Sequence, residues 1–280
     1  MSKMKTRKPQ ERQKSWRHRR QGQPAGQVPG DAAGTDTGLR APWLYGIHAV
    51  LAALVNPARR CRKLWLTQET AAALAGRLPA ELPPEIVARG RFAEILPPGA
   101  VHQGIALLAD PPPAPDLADV LQAPPAARRR VVLFLDQVTD PHNVGAILRS
   151  AAAFGAGAIV VTERHAPEVS GALAKAASGA LETVPLVRVT NLARALDQAG
   201  AAGYWRLGLE ARAERLLAGA APAGDIALVL GSEGSGLRRL TRERCDDLVR
   251  LPIVAEAESL NVSNAAAVAL YELARDDAAA

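Results

Sequence analysis

Three short stretches of the chain concentrate the side chains that could do chemistry. The first, DQVTDPHNVGAILRS (136–150), offers Asp140, Asn143 and Arg149 just after an apolar run. The second, LVLGSEGSGL (228–237), sets Gly231, Gly234 and Gly236 around Glu233. The third, ESLNVSNAA (258–266), crowds Ser259, Asn261, Ser263 and Asn264 together, with Leu260 and Val262 between them. Amides, hydroxyls, carboxylates and one guanidinium are groups that hold and orient a ligand. No Ser-His-Asp order, paired catalytic carboxylates or H-E-x-x-H motif appears. His48, His102, His142 and His165 are scattered, so no metal is assigned.

Each stretch also has a simpler reading. Asp140 or Asn143 could do no more than cap a helix. An isolated Arg149 on a helix is usually solvated. The glycine order G-x-x-G-x-G is neither the dinucleotide fingerprint nor a P-loop, and a tight turn would explain it as well as a ligand would. In the third stretch one cap accounts for one of the four polar side chains, which leaves a surplus.

The elements that must position these stretches follow from periodicity. VVLFLD (131–136), AIVVT (158–162), VPLVRV (184–189), YWRLGLE (204–210), IALVLG (226–231) and VRLPI (249–253) read as strands. Helical patterns at 143–155, 171–181, 191–201, 240–248 and 264–276 alternate with them, which predicts a parallel sheet covered on both faces. All three polar stretches then follow strands, where ligands bind in open α/β sheets. Upstream, a helix at 44–56, strands at 61–67 and 103–110 and shorter elements between them predict a small α/β domain. The expected organisation is a disordered tail over 1–41, a small domain over 42–110, a proline-rich linker over 111–129 and a larger domain over 130–277.

The chain has 280 residues and a net charge of +6. Residues 1–40 hold ten Lys and Arg against three Asp and Glu, so the remainder is close to neutral. A basic arm on a near-neutral body suggests a polyanionic partner, RNA or DNA first, or else a plain solvated tail. No run of about 18 apolar residues exists, so no membrane span is expected. Cys61 and Cys245 form no ligand spacing and read as reduced thiols of a cytoplasmic protein.

Taken together, DPHNVGAILRSA, LVLGSEGSGLRRLT and LPI…ESLNVSNAAAVALYE resemble the three signature motifs of SpoU-type RNA ribose 2′-O-methyltransferases of the SPOUT superfamily, in order and in spacing. The segment from LYGIHAVLAAL to HQGIALLAD resembles the small RNA-binding domain, like ribosomal protein L30e, found in one branch. That branch methylates a guanosine ribose of 23S rRNA, in the peptidyl-transferase-centre region. The resemblance implies a deep trefoil knot in the larger domain and S-adenosylmethionine as cosubstrate. It also implies a homodimer, with alanines 265–267 and 269 permitting close helix approach between protomers. The partner would be RNA, either 23S rRNA or a precursor large ribosomal subunit.

Carried over by motif, Gly231, Ser232, Gly234, Gly236, Leu251, Ile253 and Leu260 would line the cofactor pocket. Asn143, Arg149, Glu233, Ser259 and Asn261 match the polar set around the reacting centre. A ribose hydroxyl would attack the sulfonium methyl in line, leaving the protein to position the two and help remove a proton. Arg149 is expected to grip a phosphate rather than act as base, because a guanidinium almost never deprotonates. Asn264 departs from the family pattern, and Ser263 or Asn264 is left as the expected cap of the last helix. The rival readings are the same chemistry on tRNA, or an RNA-binding ribosome-assembly protein without activity.

Overall fold

The structure, a computed structural model, describes residues 42–123, 129–254 and 259–279; the basic tail over 1–41 lies outside them. Residues 43–109 build a four-stranded sheet from β1 (Trp43–Tyr45), β2 (Cys61–Leu66), β3 (Glu85–Ile86) and β4 (Ile105–Ala109), in the order β1-β4-β2-β3. The helices α1 (Ile47–Val55) and α2 (Gln68–Ala73) accompany it. The helix expected over 44–56 therefore loses its first residues to a strand. Gly46 makes the break: at φ 91° it holds a conformation that L-residues avoid. His102 stacks on Phe92 with ring centroids 4.2 Å apart. Burial holds its pKa down, in keeping with Nδ1 accepting the Gly104 N–H at 3.1 Å.

Within the expected linker lies a short helix, α3 (Leu117–Leu121). Leu117 and Leu121 stand one turn apart and are buried among Val132, Phe134 and Leu196 of the larger domain's core. The larger domain has a seven-stranded sheet among the described residues. Its strands are β5 (Val131–Asp136), β6 (Ala158–Thr162), β7 (Leu186–Val189), β8 (Trp205–Leu209), β9 (Arg215–Leu216), β10 (Ile226–Gly231) and β11 (Asp247–Arg250). The order is β7-β6-β5-β10-β8-β11-β9, and every pairing is parallel. All six residues of β5 are buried, as a central parallel strand requires. After β5 the chain goes to β6 on one side. After β10 it goes to β11 on the other, so a crevice opens between their carboxyl ends.

Helices α4 (Pro141–Ala153), α5 (Gly171–Ala177), α6 (Leu192–Ala201), α7 (Arg239–Glu243) and α8 (Val262–Ala279) complete the domain. Asp140, not Asn143, caps α4: its carboxylate accepts the His142 N–H at 3.0 Å, and Pro141 supplies the first turn. Gly145 lets α4 lie directly on α5, since a Cβ there would stand 2.6 Å from the Leu173 carbonyl oxygen. Gly171 does the same between α5 and the small sheet, where a Cβ would meet the Trp43 carbonyl oxygen at 2.4 Å. Ala266 and Ala269 are fully buried within the chain, and α8 packs on α4. Of the four alanines expected at a contact between protomers, these two thus serve packing inside one, while Ala265 and Ala267 are half-buried.

Candidate active site

Registers bring the polar loops together. Asp136, the last residue of β5, pairs with Gly231, the last of β10; Leu230 pairs with Leu209, and Leu209 with Val249. The loops after β5, β8, β10 and β11 therefore share one edge of the sheet. There Asn143 donates from Nδ2 to Glu233 Oε1 at 3.0 Å. Asn261 Nδ2 donates to the same oxygen at 2.5 Å and to Asn143 Oδ1 at 3.0 Å. The Val262 backbone N–H, at the first turn of α8, adds a third donor to Glu233 Oε1 at 3.2 Å. A carboxylate at a helix N-terminus is favoured by the exposed N–H groups there. Glu233 is thus fixed through one oxygen. Its Oε2 has no protein donor among the described residues and can accept a hydrogen bond from a ligand.

The cap of α8 differs from the expectation. Asn261, rather than Ser263 or Asn264, caps the helix: its Oδ1 accepts the N–H groups of Ser263 at 2.9 Å and Asn264 at 3.4 Å. One amide does two tasks, with the oxygen holding the helix and the nitrogen holding the cluster.

The glycine loop is held by backbone contact. Ser232 and Gly236 form an isolated bridge, and Gly234 and Gly236 have φ of 87° and 65°. A Cβ on Gly231 would stand 2.1 Å from the Gly236 carbonyl carbon. Asp136 anchors the far end of the loop. It is wholly buried and accepts the Arg238 N–H at 2.9 Å and its Nε at 2.6 Å. Sequence reasoning did not single out Asp136, although a carboxylate closing an otherwise apolar strand was a signal for it.

Beside the cluster lies a cleft of about 970 Å³. Gly231, Ser232, Gly234, Gly236, Leu251, Ile253 and Leu260 line it, as does Ser259. Its volume is at the upper end of the range of small-molecule sites. Arg149 is not brought into the cluster. It is exposed on α4, six residues beyond Asn143, which is about 120° around the helix and about 9 Å along it. It has no hydrogen bond or ion pair among the described residues. Burial pushes the Cys245 thiol up to about 12 and raises that of Cys61, so neither is a ready nucleophile. Among the described residues no group of His, Cys, Asp or Glu could hold a metal ion, and no helix is long and apolar enough to cross a membrane.

A parallel sheet whose cleft, glycine loop and fixed carboxylate meet at one carboxyl edge defines a ligand-binding α/β domain, here preceded by a small α/β domain. Residues 130–271 match the SpoU rRNA methylase family, and residues 43–115 match the substrate-binding domain of RNA 2′-O ribose methyltransferases. The chain belongs to the SpoU rRNA methylase family, and its fold is the SPOUT methyltransferase fold. It is 38% identical over 249 residues to the 23S rRNA (guanosine-2′-O-)-methyltransferase RlmB of Escherichia coli K12, spanning 83% of this chain and 97% of that protein. RlmB of Pseudomonas putida is likewise 38% identical, over 247 residues. Among solved structures, the SpoU methyltransferase AviRb from Streptomyces viridochromogenes, in complex with the cofactor AdoMet, matches with a TM-score of 0.69 at 25% identity. That match covers 84% of this chain and 89% of AviRb.

Proposed function

We propose that this protein transfers a methyl group from S-adenosylmethionine to the ribose 2′-hydroxyl of a guanosine in 23S rRNA. The Asn143–Glu233–Asn261 cluster at the lip of the cleft carries the reading, and the RlmB relatives, matched over nearly their whole length, support it. The residues present fit the cosubstrate: a glycine loop with no room for a Cβ at Gly231, and the apolar side chains of Leu251, Ile253 and Leu260. When bound, S-adenosylmethionine supplies a methyl already activated by its sulfonium.

The chain's own residues do the rest. Gly231, Ser232, Gly234, Gly236, Leu251, Ile253 and Leu260 hold and shape the cofactor site. Asn143 and Asn261 fix Glu233, whose free Oε2 orients the attacking hydroxyl by accepting its hydrogen bond. Ser259 lies in the same cleft and adds a hydroxyl beside it. Arg149 holds a phosphate of the substrate. The small domain over 42–110 binds RNA, and the domain over 130–277 performs the transfer, in the cytoplasm.

Gly231→Ala tests the cofactor assignment. Its Cβ would collide with backbone, which cannot swing aside as a flexible side chain can. S-adenosylmethionine affinity measured by calorimetry should fall about tenfold or more, a cost of about 1.4 kcal/mol or above. Unchanged affinity would remove the loop from the cofactor site.

A homodimer is part of the reading. Phe154, just past the end of α4, and Tyr271 on α8 stack edge to face at 6.1 Å, and with Val268 they leave an exposed apolar patch. Arg149 is exposed on the same pair of helices, so pairing through α4 and α8 would place it near the interface. Tyr271→Asp should shift the protein to a monomer in sedimentation; a variant that stays dimeric would mean the dimer uses another surface.

The reaction is tested with tritiated S-adenosylmethionine. Large-subunit RNA, small-subunit RNA, tRNA and precursor large subunits are offered in parallel, and the 2′-O-methyl is mapped. Label on a guanosine of 23S rRNA is the expected result. Label in tRNA alone would overturn the substrate, and no label in any of them would overturn the activity.

A further inference from the structure

The charges lining the cleft do not match what the cosubstrate alone needs. Among the described residues, five charged ones line it. Arg242 is paired with Glu210 at 2.6 Å, and Glu233 is held by the amides of Asn143 and Asn261. The side chains of Arg212, on the loop after β8, and Arg250, at the end of β11, make no hydrogen bond or ion pair among the described residues. Arg212 is exposed and Arg250 half-buried. Among the described residues the lining thus carries three arginines against two glutamates, with the excess on the two unpaired guanidiniums.

S-adenosylmethionine bears a sulfonium, an ammonium and one carboxylate, so it too is net positive. Unpaired guanidiniums around a net cation are repulsive unless an anion is also present. Space agrees with charge, since a cleft of about 970 Å³ is at the top of the range for a site that takes one small ligand. Guanidinium forks suit phosphate oxygens in geometry as well as in charge.

From this we infer that Arg212 and Arg250 grip the phosphates of the RNA strand beside the reacting ribose, entering the cleft from the β8 and β11 side. The inference rests on the methyltransferase reading and adds the residues that deliver the strand. They are positioning residues: they hold the backbone and touch no reacting atom. Because they contact phosphate and not base edges, they add affinity without sequence preference.

The test uses the full chain with Arg212→Gln, Arg250→Gln and the double variant. S-adenosylmethionine affinity is measured by calorimetry without RNA, and affinity for a 23S rRNA fragment is followed across salt concentrations. Each lost phosphate contact should lower the slope of log K against log salt by about 0.7 to 0.9 and weaken RNA binding about threefold to tenfold at fixed salt. Cofactor affinity should move less than about twofold, and Arg→Lys at both positions should restore the slope, since a phosphate accepts either cation. Weakened cofactor binding with an unchanged salt slope would overturn the inference, because the guanidiniums would then serve the cofactor's carboxylate. No change in either affinity would overturn it too, leaving two solvated side chains. A wild-type protein that fails to methylate any RNA sinks the activity itself; a wild type that methylates while the variants keep its slope sinks this assignment alone.

Discussion

Replacing Asn261 by alanine is expected to slow methyl transfer by at least about a hundredfold and to cost about 1–2 kcal/mol of stability. The two losses come from opposite ends of one amide. The oxygen Oδ1 accepts the N–H groups of Ser263 and Asn264, two of the donors that the start of α8 leaves unpaired. The nitrogen Nδ2 spans Glu233 Oε1 and Asn143 Oδ1. Without it Asn143 loses the donor to its carbonyl, and Glu233 loses the closest of three donors. The free oxygen of Glu233 is then no longer aimed. Asn261→Ser separates the tasks, because a serine hydroxyl caps helices about as well as asparagine but cannot reach both partners. The serine variant should unfold within about 0.5 kcal/mol of the wild type in urea while keeping most of the rate loss. If it recovers the rate, the amide is a cap and nothing more, and the cluster does not position the substrate. Asn264, whose side chain makes no contact comparable to these, should tolerate alanine on both counts.

The strands of the larger domain were legible because burial on both faces leaves a plain mark. VVLFLD and IALVLG are continuous apolar runs, and they became β5 and β10. Their lateral order was not legible, since sequence states no neighbours for a strand. Neither β1 nor β9 could be read: LYGIHAVL is apolar through both strand and helix, and only the φ of Gly46 divides them, while β9 spans two residues. A knot leaves no period at all, and motif resemblance alone implied one. Within the site, Asn143, Glu233 and Asn261 were legible as a surplus of polar groups over capping needs. That Asn261 would be the cap and a cluster member at once was not, because propensity weighs a residue for one task at a time. Arg149 shows the opposite limit. Motif grouped it with Asn143, but six residues along α4 turn it to another face of the helix, which a motif read as a string does not show.

Glu182→Ala is expected to cost about 3–5 kcal/mol, a large share of the 5–15 kcal/mol that holds a typical domain together. Arg59 follows α1 in the small domain, and its side chain is fully buried. Its Nη1 lies 3.4 Å from Glu182 Oε1, on the 3-10 turn Ala180–Glu182 of the larger domain. Asn56 Nδ2 holds the other carboxylate oxygen at 2.9 Å. Burial lowers the Arg59 pKa, and the Glu182 charge works against that shift. Removing the carboxylate leaves a guanidinium with no anion in a place water hardly reaches. The pair itself is not well made, for none of the Arg59 guanidinium nitrogens has a hydrogen-bond partner. The paired replacement Arg59→Met with Glu182→Met should therefore recover nearly all of the lost stability in urea unfolding, or exceed the wild type. A single-variant cost below about 1 kcal/mol would mean the guanidinium is solvated after all. The damage should also have a direction. The small sheet touches the larger domain through Gly171 on α5, and α5 meets α4 at Gly145, two residues from Asn143. In Glu182→Ala, hydrogen exchange should rise first in β1 and at the start of α5, and only then in α4, because the loosened contact lies at the small-domain end of that chain of close approaches.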